Sequence, residues 1–139
     1  MSIKYVNPVE TRIAKVRKDE HGIIHIVMKD CGIVDKYDII DLSLVVKSMA
    51  EGKPALKLFD ARGKWNLTKE AKNKAAQMDS SQKTRARAIV VSGVLKAGLL
   101  KFFQTLSKLD YPQQIFTNTN DAYLWLATFK NYNPSELYI

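Results

Sequence analysis

Residues 85–103, RARAIVVSGVLKAGLLKFF, constrain the fold more than any other stretch of the chain. Ala86, Ala88, Ile89, Val90 and Val91 form an apolar run with a β-branched centre, closed by Ser92-Gly93. A strand apolar on both faces is one covered on both faces, the usual state of a central parallel strand. The period then changes. Val94, Leu95, Gly98, Leu99, Phe102, Phe103, Leu106 and Leu109 recur at helical spacing, with Lys96, Lys101, Gln104 and Lys108 mostly opposite. Buried strand, tight turn and amphipathic helix are the repeating half of an α/β fold.

The remaining segments fit that class. Residues 1–10 read as a loose arm, because Asn7-Pro8 interrupts a regular element. Alternation from Thr11, the turn Asp19-Glu20-His21-Gly22 and the run Ile23 to Met28 predict an antiparallel hairpin. A helix follows over 35–50, N-capped by Asp35 and stopped near Gly52, with Ile39, Ile40, Leu42, Val45, Val46 and Met49 as its core stripe. Residues 55–60 make a third strand, parallel to a neighbour because a helix precedes it. Thr68 caps a helix to about Met78 whose thin apolar face, Ala71, Ala75, Ala76 and Met78, should sit lightly on the sheet. A short edge strand at 114–117 and a helix at 121–129, capped by Thr119 or Asn120, complete the body. The expected order is ββαβαβαβα in a mixed, mostly parallel sheet. The domain spans 11–129, and 130–139 form a C-terminal tail.

A chain of 139 residues suits one domain, and 46% hydrophobic with 26% charged residues is an ordinary globular composition. No apolar run approaches the ~20 residues of a membrane span, and none at the N-terminus has signal-peptide length. With the one cysteine, Cys31, unable to form an internal disulfide, this points to a cytoplasmic protein without membrane contact. The net charge of +8 is concentrated: residues 62–87 carry eight Lys/Arg against two Asp/Glu. Such a segment is either a solvated, solubilising face or a surface for an acidic protein, nucleic acid or a phosphorylated ligand.

From Thr11 to Phe129 the sequence resembles the bacterial STAS-like proteins, with the anti-sigma-factor antagonist fold, and among them the uncharacterised short single-domain members. The likeness is carried by HGIIHIVM, LFDARG, LTKEA, RARAIVVSGVLKAGLLKFF and PQQIFTNTNDAYLWL. The resemblance implies a regulatory or protein-interaction role rather than catalysis. In the regulatory members a strand-end Asp leads to Asp-Ser-Ser-Gly at a helix start, where a serine is phosphorylated. Asp60 matches the strand-end Asp, but the helix opens Leu67-Thr68-Lys69-Glu70-Ala71, so the Ser-Ser pair is absent and Thr68 is the one candidate phosphoacceptor.

Asp60 stands where open α/β sheets place ligand contacts; the competing role is accepting hydrogen bonds from the backbone or Arg62. Trp65, beside Arg62, Lys64 and Lys69, either anchors a partner or folds down over the thin helix. Ser92-Gly93 could hold an anion on backbone N–H groups or serve only as a turn. No phosphate loop occurs and no cofactor is implied. His21 and His25 with Cys31 lack metal-ligand spacing, and Asp38 with Asp41 reads as the wet face of a helix. An enzyme is disfavoured. The reading that results is a regulatory interaction domain using Asp60, Arg62, Lys64, Trp65, Thr68, Lys69 and Lys72 towards an acidic protein surface, with homodimerisation left open. The alternative is nucleic-acid or anionic-ligand binding through the segment 62–87.

Overall fold

The computed structural model describes residues 5–93, 101 and 111–130. Alternating and continuous apolar runs become strands β1 (Tyr5–Glu10), β2 (Ala14–Asp19), β3 (Ile24–Met28), β5 (Ala55–Asp60), β7 (Thr84–Val90) and β8 (Gln113–Phe116). They form one sheet in the order β1-β2-β3-β5-β7-β8. The first three strands are antiparallel neighbours; β3, β5, β7 and β8 run parallel. Helix α1 (Lys36–Ala50) joins β3 to β5, α2 (Lys69–Ser80) joins β5 to β7, and α3 (Thr119–Ala127) follows β8. This is the mixed α/β architecture that the hydrophobic periods dictate. The helix read at 94–109 and the tail from 131 lie outside the described residues.

Side-chain alternation splits the interior into two layers. On one face Ile13, Val16, Ile24, Ile26 and Ile89 pack with Ile39, Leu42 and Val46 of α1 and Ala71 of α2. On the other, Leu56, Leu58, Ala86, Ala88 and Val90 pack with Ala122 and Leu126 of α3. The strand β7 that anchors the fold contributes to both.

Three features depart from the sequence expectations. The arm at 1–10 is a strand from Tyr5: the register slips between Val6 and Val9, so a bulge at Asn7-Pro8 accommodates the proline on an edge strand. A small second sheet, which no sequence period signals, pairs β4 (Gly32–Val34) in parallel with β6 (Trp65–Leu67). The last helix is capped by Asn118, whose side chain accepts from the Asp121 amide, not by Thr119 or Asn120. Among the described residues no helix is long and apolar enough to cross a membrane.

Helix α1 starts with a reciprocal box. Asp35 accepts from the Asp38 amide at 2.9 Å while Asp38 accepts from the Asp35 amide at 3.0 Å. Asp38 is not on a wet face. It is 9% exposed and accepts from Arg12 Nε at 2.9 Å and from Nη2, which ties the start of α1 to the bend between β1 and β2. The helix ends on Glu51 in the left-handed region, φ 52°, followed by Gly52 at 75°. The Arg12 contact holds the Asp38 carboxyl below its ordinary value. A depressed carboxyl stabilises the fold above the unfolded-chain value and loses that contribution as pH falls. Asp38→Ala is therefore expected to cost about 1.5–3 kcal/mol at pH 7. In urea titrations the difference from wild type should shrink below pH 4.

Candidate functional site

The loop from Asp60 to Thr68 is built by the end of β5 and the β4/β6 pair. Asp60, buried at the strand end, accepts from the Arg62 amide at 3.1 Å, from Arg62 Nε at 2.9 Å and from Nη2 at 2.7 Å. This is the turn-forming role, and the bond to Asp60 raises the Arg62 value above normal. Gly63, at φ 126°, turns the chain against Asp30, whose Oδ1 accepts the Lys64 amide at 2.6 Å. Thr68 caps α2 by accepting the Ala71 amide at 3.0 Å. Lys64 and Lys69 are exposed and Lys72 half-buried.

Trp65 is not on this surface. It is 5% exposed, packs edge-on against Phe59 with ring centres 6.4 Å apart, and donates Nε1–H to the Ala61 carbonyl at 2.8 Å. An indole has one donor, and an apolar interior accepts it once that donor is satisfied. Ser92 and Gly93 are exposed at the end of β7, and the helix they were read to open lies outside the described residues.

What lies beside the loop instead is apolar. The register Ile33↔Asn66 sets β4 against the loop, and Ile33 is 70% exposed. Tyr37 and Leu44, two turns apart on α1, are 65% and 55% exposed. Lys36 bridges to Glu70 at 3.5 Å and lies 5.3 Å from the Tyr37 ring centre, joining the starts of α1 and α2. Exposed Ile33 and Tyr37 thus border exposed Lys64 and Lys69.

A second constellation is internal. Across the β5/β7 pairing Lys57 stands beside Arg87, both on the face covered by α1 and α2, and they are 3% and 9% exposed. Arg87 bridges to Asp79 at 2.7 Å and donates through Nε to Gln113 Oε1 at 2.8 Å; Tyr111 donates to the other Asp79 oxygen at 2.8 Å. Lys57 donates to Gln82 Oε1 and Thr84 Oγ1, each at 2.8 Å. Burial lowers the Lys57 value to about 8, and the Tyr111 hydroxyl is raised, chiefly by burial. Lys57, Asp79, Gln82 and Arg87 help to line a cavity of about 130 Å3 whose other walls include Ile26, Met28, Leu42, Val46 and Phe59. The charge pattern had counted Arg87 as part of a basic surface and passed over Lys57. The available signal was that each shares its strand face with a core residue, Phe59 or Ile89.

His25 also has a defined place. Its Nε2 lies 2.8 Å from Asp19 Oδ2 in the interior, while Asp19 Oδ1 accepts the His21 and Ile23 amides and so pins the β2–β3 turn. Among the described residues no group of three His, Cys, Asp or Glu side chains is placed to hold a metal ion.

A sheet of this order with helices between its parallel strands has the arrangement of the STAS-like fold. A crystal structure of an uncharacterised protein from the DUF3478 family, from Shewanella loihica PV-4 and described as having a SpoIIAA-like fold, superposes with a TM-score of 0.58. That match spans 91% of this chain and 96% of the other at 14% identity, which establishes the fold. Residues 18–130 match the family described as "Domain of unknown function (DUF7793)", and the chain belongs to it. No curated protein matches the sequence.

Two measurements check this geometry. Trp65→Ala should cost about 3–5 kcal/mol of stability, as removal of a core aromatic does, in chemical denaturation. Lys57 is protonated in both states below about pH 8, and in the unfolded chain alone from there to 10.5. The unfolded chain holds the extra proton in that window, so stability rises with pH. Wild type should gain stability relative to Lys57→Met between about pH 8 and 10.

Proposed function

We propose that this STAS-like domain is a non-enzymatic regulatory module that acts by binding another protein. Its surface combines β4, the outer face of α1, the Arg62–Thr68 loop and the start of α2. The observation that carries this reading is the exposure of Ile33, Tyr37 and Leu44 on adjoining elements next to Lys64 and Lys69. Large side chains bared together on one face, with a polar rim, favour a partner contact over solvation. An aromatic flanked by cations suits an acidic partner surface with an apolar centre. Of the residues read from the sequence, Arg62, Lys64, Thr68, Lys69 and Lys72 remain in or beside this surface, Asp60 supports it from below, and Trp65 is replaced by Tyr37.

Nucleic-acid binding through residues 62–87 draws less support. Arg62 is tied to Asp60 and Arg87 is buried against Asp79, so the outward charge is thinner than the count of cations suggests. Phosphate contacts also make no use of the exposed apolar residues. Phosphorylation at Thr68 is not required, since its oxygen already serves α2.

Affinity capture from the native cell tests the surface. Tyr37→Ala and Lys69→Glu should each weaken a partner held by wild type at least about tenfold, the scale of a lost anchor. Leu124→Ser, on the exposed side of α3, should leave it unchanged. Retention of every partner by both surface variants rules out the site. Sedimentation of wild type distinguishes a second copy of the chain as the occupant.

A further inference from the structure

We propose that the cavity between α1, α2 and the sheet binds a small amphiphilic carboxylate, its anionic head on Lys57 and its body among Ile26, Met28, Leu42, Val46 and Phe59. The case begins with charge. Two cations occupy adjacent buried positions on β5 and β7, and one carboxylate, Asp79, accompanies them. Asp79 is committed elsewhere: one oxygen takes Arg87 and the other takes the Tyr111 hydroxyl. Gln113 accepts the remaining side of the guanidinium.

Lys57 is left with neutral acceptors only, Gln82 Oε1 and Thr84 Oγ1, which use two of its three N–H bonds. No ion pair to Lys57 occurs among the described residues. Asp79 attracts the ammonium through space while Arg87 repels it, so no carboxylate is its own; packing alone would favour Met or Leu at such a position. A lysine held there beside a cavity is positioned to meet an anion.

The cavity sets the rest of the ligand. Apart from the polar group and Ser43, its described walls are aliphatic and aromatic side chains. A space of about 130 Å3 is close to the ~150 Å3 that accommodates benzene, so the body has about six carbon atoms. Phosphorylated or dianionic ligands fit poorly, because Lys57 and Arg87 together exceed the Asp79 carboxylate by a single charge. Hexanoate and benzoate have the required head and size.

Thermal unfolding and calorimetric titration at pH 7 with sodium acetate, butanoate, hexanoate, benzoate and decanoate test the site. Wild-type unfolding temperature should rise saturably with hexanoate or benzoate, less with butanoate, and not with acetate or decanoate. Hexan-1-ol, which lacks the charge, should bind at least tenfold more weakly, and Lys57→Met should lose the same factor for hexanoate. With the site filled, the gain in stability above pH 8 should move to higher pH, since a carboxylate favours the ammonium. Absence of any carboxylate effect, an equal effect of sodium chloride, or undiminished binding by Lys57→Met overturns the proposal. Should Lys57→Met fail to fold, Ala75→Leu, which fills the cavity and retains the lysine, must abolish hexanoate binding; retained binding is equally decisive against it.

Discussion

The pairing of β5 with β7 governs how this domain is assembled, because it brings Lys57 and Arg87 together under α1 and α2. Two cations on a covered sheet face must be supplied with acceptors, and the surrounding elements provide them. Asp79 comes from the last turn of α2, Gln82 from the residues after it, Thr84 from β7 itself and Gln113 from β8. Gln82 reaches on to the Ser43 carbonyl of α1 at 3.0 Å. Ala71 is the buried residue of α2, so its apolar face contributes little seating energy. Its C-terminal end is located by charge and hydrogen bonds, and its N-terminal end by the Thr68 amide on the Val34 carbonyl. Such contacts specify position more than they add stability.

The parts of the fold legible in the sequence are those whose signal is local. The alternation in β2 and β3, the 3.6-residue stripe of α1, the run in β7 and the Asp35 and Thr68 caps each depend on neighbours within a few residues. The β4/β6 pair depends on none. Each strand has three residues, too short for a period, and they meet only because α1 and β5 bring distant segments side by side. Strand β1 was hidden differently: a proline marks a break in most contexts, and a bulge at an edge is the exception that admits it.

Charge misled in a consistent direction. Arg87, Lys57 and Asp38 were read as solvent-facing or passed over, although each occupies a position that the element's own period assigns to the interior. In β5, Lys57 shares its face with Phe59; in β7, Arg87 shares its face with Ile89. Asp38 precedes Ile39 and Leu42 on the inward side of α1. Period places the backbone position irrespective of side-chain type, and the partner then has to come from elsewhere in the chain. Trp65 shows the same logic in reverse. Its polar sequence neighbours are surface residues of a short strand, while the indole itself alternates inward and finds its acceptor four residues back. A single sequence shows that a polar group needs a partner but not where the fold will supply one.

Helix α1 is common to both proposed sites, and this follows from its amphipathic geometry. Its inward residues Leu42 and Val46 wall the cavity, while Tyr37 and Leu44 face out from the same cylinder. The helix is fixed at its start by Asp38 with Arg12, and at its end the Met49 carbonyl accepts from Lys18 Nζ at 2.9 Å. Between these anchors it meets α2 through the Ser43 carbonyl and Gln82, the residue that also accepts from Lys57. One side chain thus links the polar end of the cavity to the backbone of the helix that presents the exposed apolar stripe.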